Sequence, residues 1–335
     1  MKKQRIIALF FLSFLAVASH ANGVDPVSKS QEVDTNPGHL TIFEDLIYWH
    51  ASQEPTSPWA YVKTLNAPPA PGAMYNEPNV YFNWSPGLKL GIKYDRPNLI
   101  DTKFYWTYFS TKTHEELSVG PNVIILPEFF NGFTTENLFN NAQLNWRIIM
   151  NMFDGEIGHT FKPLNTLSLR PFIGVKGGTI NQTLNSSWQA TYDSTNIYSA
   201  TENLKNNFYG LGPSFGIDSV WNLYKNFNIL SDFSTAFLWG NWNIIDVYHR
   251  PAALIGIIPE TTISTNTKNS TLGAFMAGYF LGLEWTAPTK TLVKIKAGYE
   301  MQFWSNQLRL PFFQQVPLHG DLTLQGATCG ISINL

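Results

Sequence analysis

The C-terminal segment 322–335 is the feature that most constrains the fold, because it alternates between apolar and small polar residues up to the last position. Its two faces are Ala327, Cys329, Ile331, Ile333 and Leu335 on one side, and Thr328, Gly330, Ser332 and Asn334 on the other. A period of two is that of a β-strand. A final strand with one apolar face is typical of the strand that closes a membrane β-barrel, with lipid outside and the lumen inside.

The N-terminal segment has the layout of a secretory signal peptide. Basic residues at 2, 3 and 5 precede an apolar run over 6–18 that is too short to cross a bilayer as a helix. Ser19-His20-Ala21 then offers a small-residue cleavage site. We therefore predict a signal peptide over 1–21, a periplasmic N-terminal segment over 22–39 and a transmembrane β-barrel over 40–335.

Beyond the signal peptide, no stretch approaches the ~18 consecutive apolar residues of a transmembrane helix. Period-two alternation instead predicts ten strands, of which 88–94 and 293–303 are the clearest. The predicted strands are 40–51, 88–94, 101–112, 140–161, 167–184, 209–221, 227–243, 273–285, 293–303 and 322–335.

The gaps between these strands alternate between short and long. The short ones, such as 96–100 and 222–226, hold Pro, Asn or Lys as turns do, whereas 52–86 and 244–271 are long. Short periplasmic turns and long extracellular loops are the pattern of an outer-membrane barrel. We predict an all-β, transmembrane, antiparallel up-and-down β-barrel of about ten strands, with twelve as an alternative. A soluble β-sandwich also alternates its side chains, but it does not sort its loops by length.

Some positions do not follow the simple pattern. The apolar phase of 140–161 switches near Met152-Phe153, which predicts a β-bulge there because one inserted residue exchanges the two faces. Adjacent Glu44 and Asp45 leave the lipid face of the first strand undecided. Aromatic residues near strand ends predict interfacial girdles, for example Tyr48, Trp221 and Trp285.

Composition and motifs argue against several classes of function. The 22 basic and 24 acidic residues give no basic excess for nucleic acid, and the one cysteine excludes an intramolecular disulfide framework. Gly212–Gly216 matches G-x-S-x-G, but its glycines continue the small face of a strand and no helix pattern follows. The scattered histidines give no metal spacing. We predict no catalytic residues, no metal and no cofactor.

Charged residues at the positions between lipid-facing ones must face the lumen, because a charge in hydrocarbon is costly. The predicted pore-lining residues are Lys89, Lys93, Arg147, Arg170, Lys176, Asp218, Asp232, Glu284, Lys294, Lys296 and Glu300, with Asp154 and Glu156 on the same face. If the lumen holds water, these side chains tune solute passage. If they pair across a narrow barrel, they are structural and the lumen is plugged.

Four segments resemble the Legionella-type major outer membrane protein family, which includes porin-like proteins of Chlamydia-related bacteria. They are 43–49, 169–174, 210–216 and 321–326. The resemblance implies a pore-forming barrel in the bacterial outer membrane, reached through a cleaved signal peptide. This chain departs from cysteine-rich chlamydial relatives in having only Cys329, and from many outer-membrane proteins in ending with Leu335 instead of Phe.

These observations favour a porin-like channel for passive diffusion of ions and small solutes, with outer-membrane lipid as its surroundings and a homo-oligomer as one arrangement. The alternative is a surface-exposed adhesin whose loops bind a host-surface ligand through an apolar patch. That patch would comprise Trp59, Tyr61, Pro68, Pro69, Pro71, Tyr81 and the segment 123–126, which could equally fold inward as a constriction. An enzyme with a catalytic rim cluster around His114, Asp246, His249 and His319 is disfavoured, and we predict no enzyme.

Overall fold

A computed structural model describes residues 38–54, 59–64, 80–96, 100–120, 123–127, 139–191, 197–252, 260–288, 292–310 and 318–335. These residues belong to one compact unit, Pro37–Leu335. The predicted signal peptide and nearly all of the predicted N-terminal segment lie outside the described residues, as do Pro68, Pro69 and Pro71. No described helix is long and apolar enough to cross a membrane.

The described secondary structure consists of β-strands. They are β1 His39–Glu54, β2 Ala60–Thr64, β3 Ser85–Asp95, β4 Asp101–Ser118, β5 Val123–Pro127, β6 Asn141–Gly158, β7 Phe161–Leu164, β8 Leu167–Thr191, β9 Ile197–Tyr224, β10 Phe227–Arg250, β11 Thr261–Thr286, β12 Val293–Leu310 and β13 Leu318–Asn334.

Ten of these strands form a closed antiparallel barrel, which confirms the predicted fold class and strand number. The order is β6-β4-β3-β1-β13-β12-β11-β10-β9-β8, and the pairing of β6 with β8 closes the sheet. The C-terminal strand β13 lies beside β1, so the first and last described strands are neighbours in the wall. The short β7 extends β8 as a hairpin, and β2 pairs with β5 in a separate two-stranded sheet.

The outer face of the barrel carries a continuous apolar belt. Its exposed side chains include Leu40, Ile42, Leu46, Tyr48, Leu90, Ile92, Tyr94, Phe104, Phe153, Ile157, Ile173, Val175, Tyr209, Leu211, Phe215, Trp221, Phe237, Trp239, Tyr279, Leu281, Leu283, Trp285, Ile295, Tyr299, Met301, Ile331 and Ile333. On β9 the belt runs from Tyr209 to Trp221, a rise of about 30 Å for a strand tilted by ~40°. This height matches a bilayer, with an aromatic ring at each boundary.

Strands β8 to β11 continue well above the belt, and here the predicted loop lengths were wrong. Residues 185–207 and 244–271 were expected to be long loops, yet β8 and β9 extend to Thr191 and Ile197, and β10 and β11 to Arg250 and Thr261. The outer face of this upper barrel is rich in Asn, Thr and Ser, so it lacks the apolar period that identifies a lipid-facing strand.

The predicted bulge near Met152-Phe153 was also wrong, because the register of β6 with β4 and β8 continues through it without a shift. Even-numbered residues face inward along the whole strand. Above the belt they are apolar, as at Leu144, and within the belt they are charged, as at Asp154. The apolar phase switches because both faces of the wall change polarity at the upper boundary of the belt.

The interfacial aromatics are divided between the two faces of the wall. Tyr48, Trp221 and Trp285 are exposed on the outside, as a girdle requires. Trp49 and Trp304, each next to a lipid-facing residue, point inward and are fully buried. Proximity to a strand end therefore did not distinguish girdle residues from core residues.

Glu44 is a carboxylate on the outer face within the belt, where it neighbours Leu90 on β3 and Ile331 on β13. We expect Glu44→Leu to stabilise the barrel in vesicles by about 1 kcal/mol, since an acidic side chain in hydrocarbon costs less than the ~2–4 kcal/mol of Lys or Arg. Urea titration measures the change, with Glu116→Leu, above the belt, as a control expected to give no gain, because it removes exposed contacts to His114 and Gln143. Absence of a gain at Glu44 would mean that this face is not lipid-exposed.

Candidate functional site: a charged chamber beneath an apolar core

A water-accessible chamber of about 340 Å³ lies inside the barrel at the level of the belt. The predicted pore-lining residues that face it are Lys89, Lys93, Lys176, Asp218, Asp232, Glu284, Lys294, Lys296 and Glu300. They converge because each alternates with a lipid-facing residue of its own strand, so that the period of two sends every one of them to the inside. Their role in solute passage stays a prediction.

Two of the predicted residues do not line this chamber. Arg170 points inward but is buried within a cluster of carboxylates. Arg147 lies outside, contrary to the prediction, because it shares the outward phase of β6 with Asn145 and Phe153. Its charge is compatible with that face because Arg147 lies above the belt. The sequence argument assumed that every charged residue of a strand faces the lumen, which holds only within the bilayer.

Lysines pair with carboxylates across the lumen. Lys89 of β3 contacts Glu300 of β12 at 3.0 Å, although two other strands separate them in the wall. Lys296 contacts Asp45 of β1 at 2.9 Å across β13. Gly330 on β13 leaves room for the latter pair, because a Cβ there would clash with Asp45 Oδ1. These pairs connect non-neighbouring strands and narrow the chamber.

Arg170 bridges three carboxylates from three strands. Its Nε donates to Asp101 Oδ1 at 2.7 Å, and its Nη1 donates to Glu156 Oε2 at 2.9 Å and to Asp218 Oδ2 at 2.8 Å. Arg170, Asp101 and Glu156 are almost completely buried. The guanidinium carries enough fixed donors to serve all three partners, which a lysine ammonium could not match in geometry.

Four inward residues of the charged layer were not among the predicted pore-lining residues. Asp45, Asp101, Lys103 and Tyr105 all face the lumen, and Lys103 lies 5.0 Å from the centroid of the Tyr105 ring. Each of them is an odd number of residues away from an exposed, lipid-facing residue, Leu46 or Phe104, and this alternation could have identified them as inward-facing. Aromatic residues on both faces at 104–106 obscured that phase.

Above the chamber the lumen is filled by a large apolar core. Its largest fully buried side chains are Trp49, Trp59, Trp188, Trp242, Trp304, Tyr248, Phe109, Phe139, Phe208, Ile47, Ile125 and Leu144. At its lower edge the Trp304 indole donates to Gln302 at 3.2 Å, and Gln302 donates to Glu300 at 3.0 Å. The charged layer and the apolar core are thus joined by a short chain of hydrogen bonds.

Residues outside the barrel wall contribute to this core. Trp59, Phe82, Ile125 and Phe139 are nearly fully buried, and Phe82 packs edge-on against Trp146 with 5.3 Å between the ring centroids. Of the proposed apolar patch, Trp59, Ile124 and Ile125 are therefore buried inside the barrel, whereas Tyr81 is exposed. The sequence left open whether this patch is exposed for binding or folds inward as a constriction. The burial of Trp59 and Ile125 agrees with the inward arrangement.

Two carboxyls meet inside the upper barrel, above the belt. Glu202 of β9 and Asp246 of β10 are nearly fully buried and lie within hydrogen-bonding reach of each other. Burial raises the pKa of Asp246 to about 6, and burial together with the neighbouring Asp246 carboxyl raises the pKa of Glu202.

The members of the proposed catalytic rim whose side chains the structure describes do not come together. His114 faces outward on β4 and bonds Glu116 at 2.9 Å, whereas Asp246 faces inward and His249 bonds Thr262 on the outer side. Among the described residues, no group of three His, Cys, Asp or Glu side chains is placed to hold a metal ion.

The fold and the two faces of its wall define a class: a transmembrane β-barrel of the outer-membrane type. The sequence matches the family described as Legionella pneumophila major outer membrane protein precursor over residues 41–335. The chain belongs to this family, and its place is the outer membrane. Among curated proteins, none matches the sequence.

The chain aligns over most of its length with several solved structures, each at a TM-score below 0.5. The Escherichia coli outer membrane protease OmpT aligns with a TM-score of 0.45 and 10% identity, over 92% of this chain and 99% of that chain. A Pseudomonas aeruginosa FadL homologue gives 0.23 and 8%, over 89% of each chain. The Pseudomonas putida toluene transporter TodX gives 0.27 and 6%, over 89% of this chain and 90% of that chain.

Proposed function

We propose that the protein is a porin-like channel for ions and small solutes whose path is closed, in the described residues, by the apolar core. The observation that carries the proposal is the charged, water-accessible chamber at bilayer level. Side chains of both signs line it, as in pores whose lining tunes solute selectivity. Passage requires the core around Trp304 and Met276 to separate, so the chamber acts as the vestibule of a gated path.

The test is conductance of the refolded protein in planar bilayers, with folding verified by heat-modifiable gel mobility. Stepwise conductance is expected. Lys93→Glu with Lys294→Glu should shift the ion selectivity towards cations, because both lysines line the chamber and are partly exposed. Lys162→Glu with Lys225→Glu, exposed outside the lumen, is the matched control and should leave selectivity unchanged. Folded protein without conductance would overturn the channel.

A second prediction concerns the gate. Trp304 is fully buried between the charged layer and the core, so Trp304→Ala removes a large side chain at a cost of about 3–5 kcal/mol. We expect larger or longer openings in single-channel recordings. Trp221→Ala, which removes an exposed girdle tryptophan, is the control and should conduct like the wild type. If both variants conduct alike, Trp304 is not part of the gate.

The second candidate function is display of binding segments at the cell surface. The filled upper lumen favours it, because a barrel without an open path can still present the segments at its extracellular rim to a partner. Residues 66–72 would then carry the host-surface contact, and Ala60 must be kept because it is buried in the core. Replacing 66–72 by a Gly-Ser linker should abolish adhesion of expressing cells while conductance is unchanged. Changed conductance with unchanged adhesion favours the channel.

A further inference from the structure

A row of basic side chains crosses the outer face of the upper barrel. Lys112 on β4 is directly opposite Arg147 on β6, Arg147 is opposite Thr183 on β8, and Thr183 is opposite Lys205 on β9. Lys112, Arg147 and Lys205 are all exposed. We refer to these three residues as the basic row.

The basic row is electrostatically unbalanced. Like charges directly opposite on neighbouring strands are destabilising, and the Cα atoms of such a pair are only about 4.5–5.5 Å apart. None of the three forms an ion pair with a described residue. Glu116, on the same face of β4, lies further up the strand and is occupied by His114 and Gln143. The juxtaposition therefore calls for an external anion.

The height of the row above the belt indicates where that anion would lie. Lys112 and Lys205 are each four residues above a tyrosine at the belt boundary, Tyr108 and Tyr209 respectively. Four residues span about 13 Å along a strand, or about 10 Å in height at the usual tilt. The row is thus at headgroup level, just outside the hydrocarbon.

The surface around the row is suited to sugars. A row of amides, Asn145, Asn185 and Asn203, lies one step above it, and a second row, Asn181, Asn207 and Asn243, lies one step below. The lower row lines an outer groove of about 380 Å³, together with Tyr209 and Lys268. Amide side chains both donate and accept hydrogen bonds, as recognition of sugar hydroxyls requires.

We propose that this surface binds the phosphorylated disaccharide headgroup of the outer-leaflet glycolipid, lipid A. The basic row contacts its phosphates, the asparagine rows bond its sugars, and the acyl chains continue downward along the belt. Charge-assisted bonds from Arg and Lys to phosphate are among the strongest hydrogen bonds in proteins, which favours this occupant over a neutral lipid. The proposal does not depend on whether the lumen conducts.

The test uses the full-length refolded protein in nonionic detergent, titrated with bis-phosphorylated lipid A. Binding should be at least about tenfold tighter than to lipid A stripped of its phosphates, and should weaken with salt. The triple variant Lys112→Gln, Arg147→Gln, Lys205→Gln should lose at least about tenfold in affinity. The control Arg96→Gln, Lys162→Gln, Lys225→Gln removes the same charges from exposed positions at the opposite end and should bind like the wild type.

Three outcomes would overturn the proposal. Equal affinity of the triple variant and the wild type would remove the basic row from the site. Equal affinity for the dephosphorylated lipid would show that the phosphates do not contribute to binding. Equally tight binding of phosphatidylglycerol micelles would reduce the surface to a general attraction for anions. Heat-modifiable gel mobility verifies that every variant is folded, which is expected because the substituted side chains are exposed.

Discussion

Arg170→Met is expected to destabilise the barrel by about 3–5 kcal/mol, because it leaves the buried Asp101 without its ion-pair partner and leaves Glu156 and Asp218 with Lys103, at 3.9 and 4.0 Å, as their remaining described partner. Asp101 and Glu156 would remain in the interior with side chains only 4% and 3% exposed, beside the more accessible Asp218. Arg170→Lys should recover only part of the loss, since one ammonium cannot span three carboxylates. Urea titration of the protein in vesicles, followed by heat-modifiable gel mobility, measures the change.

The matched control for Arg170 is Lys93→Met. Lys93 also faces the lumen and also forms an ion pair, with Asp95 at 2.6 Å, but the two side chains are 25% and 36% exposed. Its loss should cost at most about 1 kcal/mol. A similar loss of stability for both variants would show that the ion pairs of Arg170 stabilise the barrel no more than an exposed ion pair in the lumen does.

The second large effect is expected on the outer face of β8. Ile173, 70% exposed in the middle of the belt, should tolerate lysine poorly, so that Ile173→Lys costs about 2–4 kcal/mol and reduces insertion into vesicles. Asn185→Lys is the control on the same strand and the same face, but above the belt, and should stay within about 0.5 kcal/mol of the wild type. Equal behaviour of the two would contradict the position assigned to the bilayer.

The alternation of β12 offers a paired test of the two faces of the wall, and the structure modifies its design. From the pattern alone, Lys294→Glu with Lys296→Glu tests lumen selectivity with little effect on folding, whereas Ile295→Lys impairs insertion. Lys296 pairs with Asp45, whose side chain is 1% exposed, so Lys296→Glu would place a second carboxylate against a buried one and remove its cation. Lys294, 42% exposed at the chamber mouth, remains suitable, and Lys93 is the better second site.

The sequence by itself determined the wall of the barrel within the bilayer. Residues such as Ile92 and Ile295 alternate with Lys93 and Lys296, because a charge facing the hydrocarbon is costly and the lysines must therefore face the lumen. The period of two is a local property, so strand number, closure by the C-terminal strand and the inward direction of Lys89 could be predicted. The family resemblance agreed with that pattern and was confirmed.

The tertiary structure alone decided what the lumen contains and how far the wall extends. Trp49 and Trp304 resemble girdle residues in the sequence, and Arg147 resembles a lumen charge, because the pattern does not record the height of a residue relative to the bilayer. Above the belt, water lies outside and packed side chains lie inside, so the polarity of both faces is exchanged. Which carboxylates surround Arg170 depends on the stagger of strands far apart in sequence, and filling of the upper lumen depends on Trp59 and Ile125 entering from outside the wall. Both depend on contacts between strands and segments distant in sequence, which local alternation does not specify.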